Sequence, residues 1–210
     1  TLVVTSSVSG TYSNVIPAGA ITTLEGSTNP DPAQSTLTVI APPTIAKSFN
    51  PSSVASGQPS TLTFTLTNPN SAALLPAGLT GAGFTDSLPA GVTVTVSGPA
   101  SGSCVGASGN FLTAGATSVA ISGLTLSPAS SCSVIFLVSA SAPGVYPNVS
   151  SGVSTALTPV AGSPSATATL TVLAAPTLSK SFSPSTLLSG GTGTSVLTLT
   201  ANNPNAVALN

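Results

Sequence analysis

An all-β sandwich built from tandem repeats is the fold this sequence predicts, and three observations predict it. Apolar and β-branched residues alternate in short runs such as Thr61-Leu62-Thr63-Phe64-Thr65-Leu66-Thr67, the period of a strand with one buried face. Clusters of Gly, Pro, Asn and Ser cut these runs at short intervals, and no segment joins helical periodicity to caps. The third observation is that the chain repeats itself.

Pro43-Thr44-Ile45-Ala46-Lys47-Ser48-Phe49-Asn50-Pro51 returns as Pro176-Thr177-Leu178-Ser179-Lys180-Ser181-Phe182-Ser183-Pro184, with the lysines 133 residues apart. Gly10-Thr11-Tyr12-Ser13-Asn14-Val15 returns as Gly144-Val145-Tyr146-Pro147-Asn148-Val149, and Ser35-Thr36-Leu37-Thr38-Val39 as Ala168-Thr169-Leu170-Thr171-Val172. Thr63-Phe64-Thr65-Leu66-Thr67-Asn68-Pro69-Asn70 answers to Leu197-Thr198-Leu199-Thr200-Ala201-Asn202-Asn203-Pro204-Asn205 with a small insertion. A domain-sized period of this kind marks an array. The expected organisation is the C-terminal part of one repeat over 1–41, a complete repeat over 42–173 and the N-terminal part of the next over 174–210. On this reading the chain is a section of a longer tandem protein. Its joints, Ile40-Ala41-Pro42-Pro43 and Leu173-Ala174-Ala175-Pro176, are short and stiffened by proline.

Composition narrows the function. Only 2% of the 210 residues are charged while 41% are hydrophobic, and the mean hydropathy is +0.53. Disordered chains combine low hydrophobicity with high charge, so this one is expected to bury a core. The formal net charge of −1, with two lysines and no arginine, removes the electrostatic footprint that nucleic acid or an anionic membrane requires. No apolar run reaches the roughly eighteen residues of a membrane span. With no histidine and three carboxylates, neither a base–nucleophile pair nor a paired-acid site can be assembled, and no enzyme is expected beyond a self-directed reaction. No cofactor and no metal are expected: Glu25 and Asp31 have no matching carboxylates in the next repeat, and calcium wants several. Cys104 and Cys132 are read as a disulfide closing a loop of 28 residues, with two free thiols or a metal pair as alternatives. An even cysteine count in such a chain fits an oxidising, extracellular setting.

One constellation carries chemistry. Ile45, Lys47 and Phe49 share a strand parity, as do Phe84, Asp86 and Leu88, and Tyr146 and Asn148. Parity therefore aims a lysine, a carboxyl and a carboxamide at the apolar face. An isolated buried charge is costly, and bringing the three together offsets that cost.

The ordered pattern Lys-Ser-Phe-x-Pro, Leu-Thr-Asn-Pro-Asn, Phe84-Thr85-Asp86-Ser87-Leu88-Pro89-Ala90-Gly91 and Gly144-x-Tyr146-x-Asn148 resembles the DUF11-type immunoglobulin-like repeats of bacterial surface proteins. The resemblance covers the whole chain. It implies an immunoglobulin-like sandwich repeated many times in secreted or surface-anchored proteins, in a family with no assigned enzymatic activity. Related bacterial domains join such a lysine and asparagine in an intramolecular isopeptide bond, which implies Lys47 bonded to Asn148 with Asp86 as acid–base partner. Burial favours the neutral amine as nucleophile and a neutral carboxyl to polarise the carboxamide. Partners for Asn14 and Lys180 would then fall outside this sequence.

The alternatives are an edge-strand lysine that discourages aggregation, an aspartate in the turn before Leu88-Pro89-Ala90-Gly91, and an asparagine acting as a turn donor. A one-residue slip in register would reverse every face. The sequon Asn148-Val149-Ser150 has no counterpart at Asn14-Val15-Ile16 and reads as chance.

The expected function is a structural unit of an extracellular fibre, stalk or sheath, whose partners are neighbouring repeats of the same chain or identical chains. The alternative is an adhesin module binding a glycan or surface. Against it, aromatic residues for sugar stacking are few (six Phe, two Tyr, no Trp), and the phenylalanines are expected in the core. A polymer in which one subunit's strands complete the next subunit's sandwich is a further expectation to test.

Overall fold

The computed structural model describes residues 1–206. The N-terminal segment forms β1 (Gly10–Ile16) and β2 (Ala33–Val39). The central segment contributes β3 (Thr44–Asn50), β4 (Ser53–Ala55), β5 (Ser60–Asn68), β6 (Leu79–Ser87), β7 (Val92–Val94), β8 (Gly98–Pro99), β9 (Phe111–Leu112), β10 (Ser118–Leu126), β11 (Ser130–Ala140), β12 (Gly144–Asn148) and β13 (Ala168–Leu173). The strands β14 (Thr177–Ser183) and β15 (Val196–Asn202) follow. One short 3₁₀ turn, Ala107–Gly109, interrupts the strands.

The central strands form an all-β sandwich. One layer has the order β3-β5-β11-β7, the sequence of pairings found in one sheet of an immunoglobulin-type sandwich. The opposite face is made by β12-β13-β4, with β4 parallel to β13, and by β10-β6. Bridges from Gly83 to Ser154 and from Asp86 to Ser150 join β6 to the chain leaving β12. The alternation in β5 settles its two faces. Ser60, Leu62, Phe64, Leu66 and Asn68 are buried, while the threonines between them are half-buried or exposed. Phe64 sits at the centre, its ring centroid 4.7 Å from that of Phe84 and 5.8 Å from that of Phe136. Burying each such side chain stabilises by about 1.5–3 kcal/mol before chain entropy is counted.

The repeat extends to strand register. Tyr12 pairs with Leu37 in β1–β2 as Tyr146 pairs with Leu170 in β12–β13. Both tyrosine hydroxyls donate to the carbonyl four residues back, Val8 at 2.9 Å and Ala142 at 2.7 Å. Lys180 lies opposite Leu199 as Lys47 lies opposite Phe64. Asn203-Pro204-Asn205 therefore answers to Asn68-Pro69-Asn70, and the extra residues lie in the loop before β15, not within residues 197–205. Asn50–Pro51 and Ser183–Pro184 are both cis. Apolar positions buried in the central repeat are exposed on the flanking hairpins, among them Leu37, Leu178, Leu197 and Leu199.

Two phenylalanines depart from the expected core placement. Phe111 is 73% exposed on the two-residue β9, and Phe182 is 55% exposed on β14. The first lies on a strand too short to have a covered face, and the second on a hairpin with no opposing layer.

Gly152 marks the closest backbone approach: a Cβ there would fall 1.8 Å from the Gly162 carbonyl oxygen. Gly152→Ala is expected to cost about 1–3 kcal/mol through the displacement it forces. An unchanged denaturation midpoint would show that this loop gives way freely.

Candidate functional site

Lys47, Asp86 and Asn148 come together on the inner side of the sandwich. On β3, Ile45 and Phe49 are buried and the Lys47 side chain between them is wholly removed from solvent. On β6, Phe84 and Asp86 are buried, with Leu88 buried just beyond the strand, and Asn148 ends β12 at 4% exposure. The Lys47 Nζ donates to Asp86 Oδ1 at 2.5 Å, and Asn148 Nδ2 donates to Asp86 Oδ2 at 3.0 Å. A single carboxyl thus touches both nitrogens. Beneath the amine lies the Phe64 ring, its centroid 5.1 Å from Nζ.

This geometry bears on each alternative. Although β3 is an edge strand, Lys47 does not present its charge along that edge. Asp86 belongs to β6, paired with Val119 on one side and bridged to Ser150 on the other, so it is not a turn residue. The Asn148 amide is spent on Asp86, and its burial is incompatible with the sequon serving as a glycosylation acceptor in the folded domain. The carboxyl meets the amide nitrogen of Asn148, an arrangement suited to delivering a proton to a departing nitrogen more than to polarising the carbonyl.

A family model described as "Domain of unknown function (DUF7933)" matches residues 43–172. The chain belongs to the DUF7933 family. A search of curated proteins finds no match to it. The matched stretch of this DUF7933 chain runs from just before β3 into the end of β13, and so contains the whole Lys47–Asp86–Asn148 cluster.

Electrostatically, burial pulls the Lys47 amine below its ordinary value of 10.5, and the hydrogen bond and charge of Asp86 hold it up in part. A lysine depressed in this way loses its proton in the folded chain before the unfolded chain does. Between the lowered value and 10.5 the unfolded chain binds more protons, so stability rises with pH in that window. In an Asn148→Ala DUF7933 chain, where no bond to Lys47 can form, the denaturation midpoint is expected to climb with pH through the alkaline range below 10.5. A midpoint that falls there would mean that the ion pair outweighs desolvation.

Cys104 and Cys132 form a disulfide. Residues 101–104 run beside β11, with Ser101 bridged to Ile135 and the Cys104 amide donating to the Ser133 carbonyl. The bond secures this irregular stretch to a central strand. Among the described residues no group of three or more His, Cys, Asp or Glu could hold a metal, and no helix is long and apolar enough to cross a membrane. Glu25 and Asp31 are exposed.

Sequence reasoning misses three residues. Phe64 reads as a strand residue, but its position directly opposite Lys47, under the amine, follows only once register is known. Asn68 and Asn70 appeared as repeat markers without a role. Both are buried, at 0% and 2% exposure; the parity that Asn68 shares with Leu62, Phe64 and Leu66 is the one available signal, and Asn70, beyond the strand, carries none.

Proposed function

We propose that this DUF7933 domain is a structural repeat of a long bacterial extracellular fibre, stalk or sheath, clamped internally by a Lys47–Asn148 isopeptide bond. The observation that carries the reading is the carboxyl of Asp86 bonded at once to the lysine and the asparagine nitrogens in a solvent-free core. A load-bearing domain gains from a covalent tie between its first strand and one near its end, and the DUF11-type motif pattern points to the same setting. The disulfide agrees with an oxidising location.

The reaction balances within the domain. The neutral Nζ of Lys47 attacks the Asn148 side-chain carbonyl carbon, forming a C–N bond. Before that attack the ion pair's proton passes from Nζ to Asp86, leaving a neutral amine and a neutral carboxyl. Asp86 then takes the second proton from the attacking Nζ on one oxygen and gives up its first from the other to the Asn148 nitrogen, which leaves as ammonia while Asp86 stays neutral. No oxidant or metal is needed, and each domain reacts once. Tension along the chain would then load an amide bond instead of a hydrogen-bond ladder. The deciding experiment is the intact mass of the reduced 210-residue chain with peptide mapping; joined Lys47 and Asn148 peptides support the reading, and the full unmodified mass ends it.

A further inference from the structure

The peptide entering the central repeat is held by a specific device. The Asn70 carboxamide accepts from the Ala41 amide at 2.9 Å and donates to the Ala41 carbonyl at 2.8 Å, pairing with that residue as a neighbouring strand would. Asn70 is anchored in turn. Its backbone and side-chain nitrogens both donate to Asn68 Oδ1, at 3.0 and 2.9 Å, and Asn68 Nδ2 donates to the Leu126 and Ser127 carbonyls between β10 and β11. Pro69 stiffens the corner between the two asparagines. The same device recurs one repeat later, where Asn205 accepts from and donates to Ala174 at 2.8 Å each and is braced on Asn203.

The neighbouring connector residues are also in contact. Ile40 packs against the core of the central repeat. Pro42 and Pro43 lie against Gly162, where a Cβ would come within 2.7 Å of the Pro43 carbonyl oxygen. Ser9, Gly10 and Thr11 of the preceding segment share a shallow groove with Pro69, Ser71, Ala73 and Leu74. Between Val39, where β2 ends, and Thr44, where β3 begins, each of residues 40–43 thus touches the central repeat.

We propose that the Asn-Pro-Asn corner of each repeat is the docking site for the peptide arriving from the preceding repeat, and that it fixes the joint between them. The ligand is a main-chain N–H and C=O pair from a short residue, with prolines following it. Proline cannot continue a strand ladder, and the side-chain amide supplies the missing pairing in its place. This inference does not depend on whether Lys47 reacts with Asn148.

Residue-resolved amide exchange on the 210-residue chain tests it, because the two corners serve as controls for each other. In the unmodified chain both the Ala41 and Ala174 amides are expected to be protected. Asn70→Ala should speed exchange at Ala41 by about tenfold or more, the equivalent of roughly one lost hydrogen bond, while Ala174 and the amides of β5 and β11 stay slow. If that variant fails to fold, Asn205→Ala makes the same lesion at the other corner and should release Ala174 alone. Small-angle scattering then reads the joint. Asn70→Ala should move the profile toward that of a chain with Gly-Ser-Gly-Ser inserted between Val39 and Ile40, whose Ala41 remains protected. Free exchange at Ala41 in the unmodified chain overturns the proposal. So does protection that survives Asn70→Ala, or scattering that responds to the insertion but not to the loss of the amide.

Discussion

The reduced chain is expected to weigh one ammonia less than its sequence, and Asp86→Ala is expected to restore the full mass. The stability effect should be large. A bond from Lys47 to Asn148 closes a loop of about 100 residues, for which the chain-entropy model gives about 5 kcal/mol. At the usual conversion for a domain of this size, that raises the melting temperature by upward of about 10 °C. Asp86→Ala alone mixes two losses, because it also leaves a buried lysine without its partner, worth about 3–5 kcal/mol. Lys47→Met with Asp86→Leu separates them. Replacing a buried ion pair by apolar side chains of similar volume is often neutral or stabilising. A double variant that melts with the native chain would mean that no clamp exists, whereas one that melts far below it attributes the difference to the covalent bond.

Reduction of Cys104–Cys132 is the second large effect. The bond spans 28 residues, for which the chain-entropy model gives roughly 3–4 kcal/mol, and the melting temperature is expected to fall by about 10 °C. The loss should be felt first in residues 98–112. That stretch holds two-residue strands and a single 3₁₀ turn, and its external ties are to β11, to Thr125 through the Val105 bridge and to Ser122 through the Asn110 carboxamide. Proteolysis after reduction should therefore cut between β8 and β9 before it cuts β5 or β11. Uniform cleavage across the domain would show that the disulfide supports the whole sandwich and not this segment.

Much of the site could be read from alternation. Lys47, Asp86 and Asn148 each sit in a strand whose neighbouring same-parity residues are apolar or aromatic, and a period of two leaves one assignment of faces once the strand is recognised. The repeat also marked out the segments that form β12 and β13, since both recur together. What could not be read was set by contacts across the sandwich. The Phe64 ring under Lys47 depends on register between β3 and β5. The role of Asn70 depends on a hydrogen bond to Ala41, 29 residues away, which leaves no local pattern. The insertion falls before β15 and not within residues 197–205, where Asn202 and Asn203 offer two equivalent matches to Asn68 and only strand pairing chooses between them. Residues 95–117 carry no sustained period because their strands are too short to have one.

The burial of Lys47 and Asp86 has a consequence at the outside of the molecule. They are the only charged residues between positions 43 and 172, and both side chains are hidden from solvent. The exterior of the repeat is therefore electrically silent, hydrated by hydroxyls, amides and backbone in the manner of an uncharged polymer. With no exposed charge to screen or titrate, such a surface keeps the same contact properties in fresh and salt water and from mild acid to mild alkali.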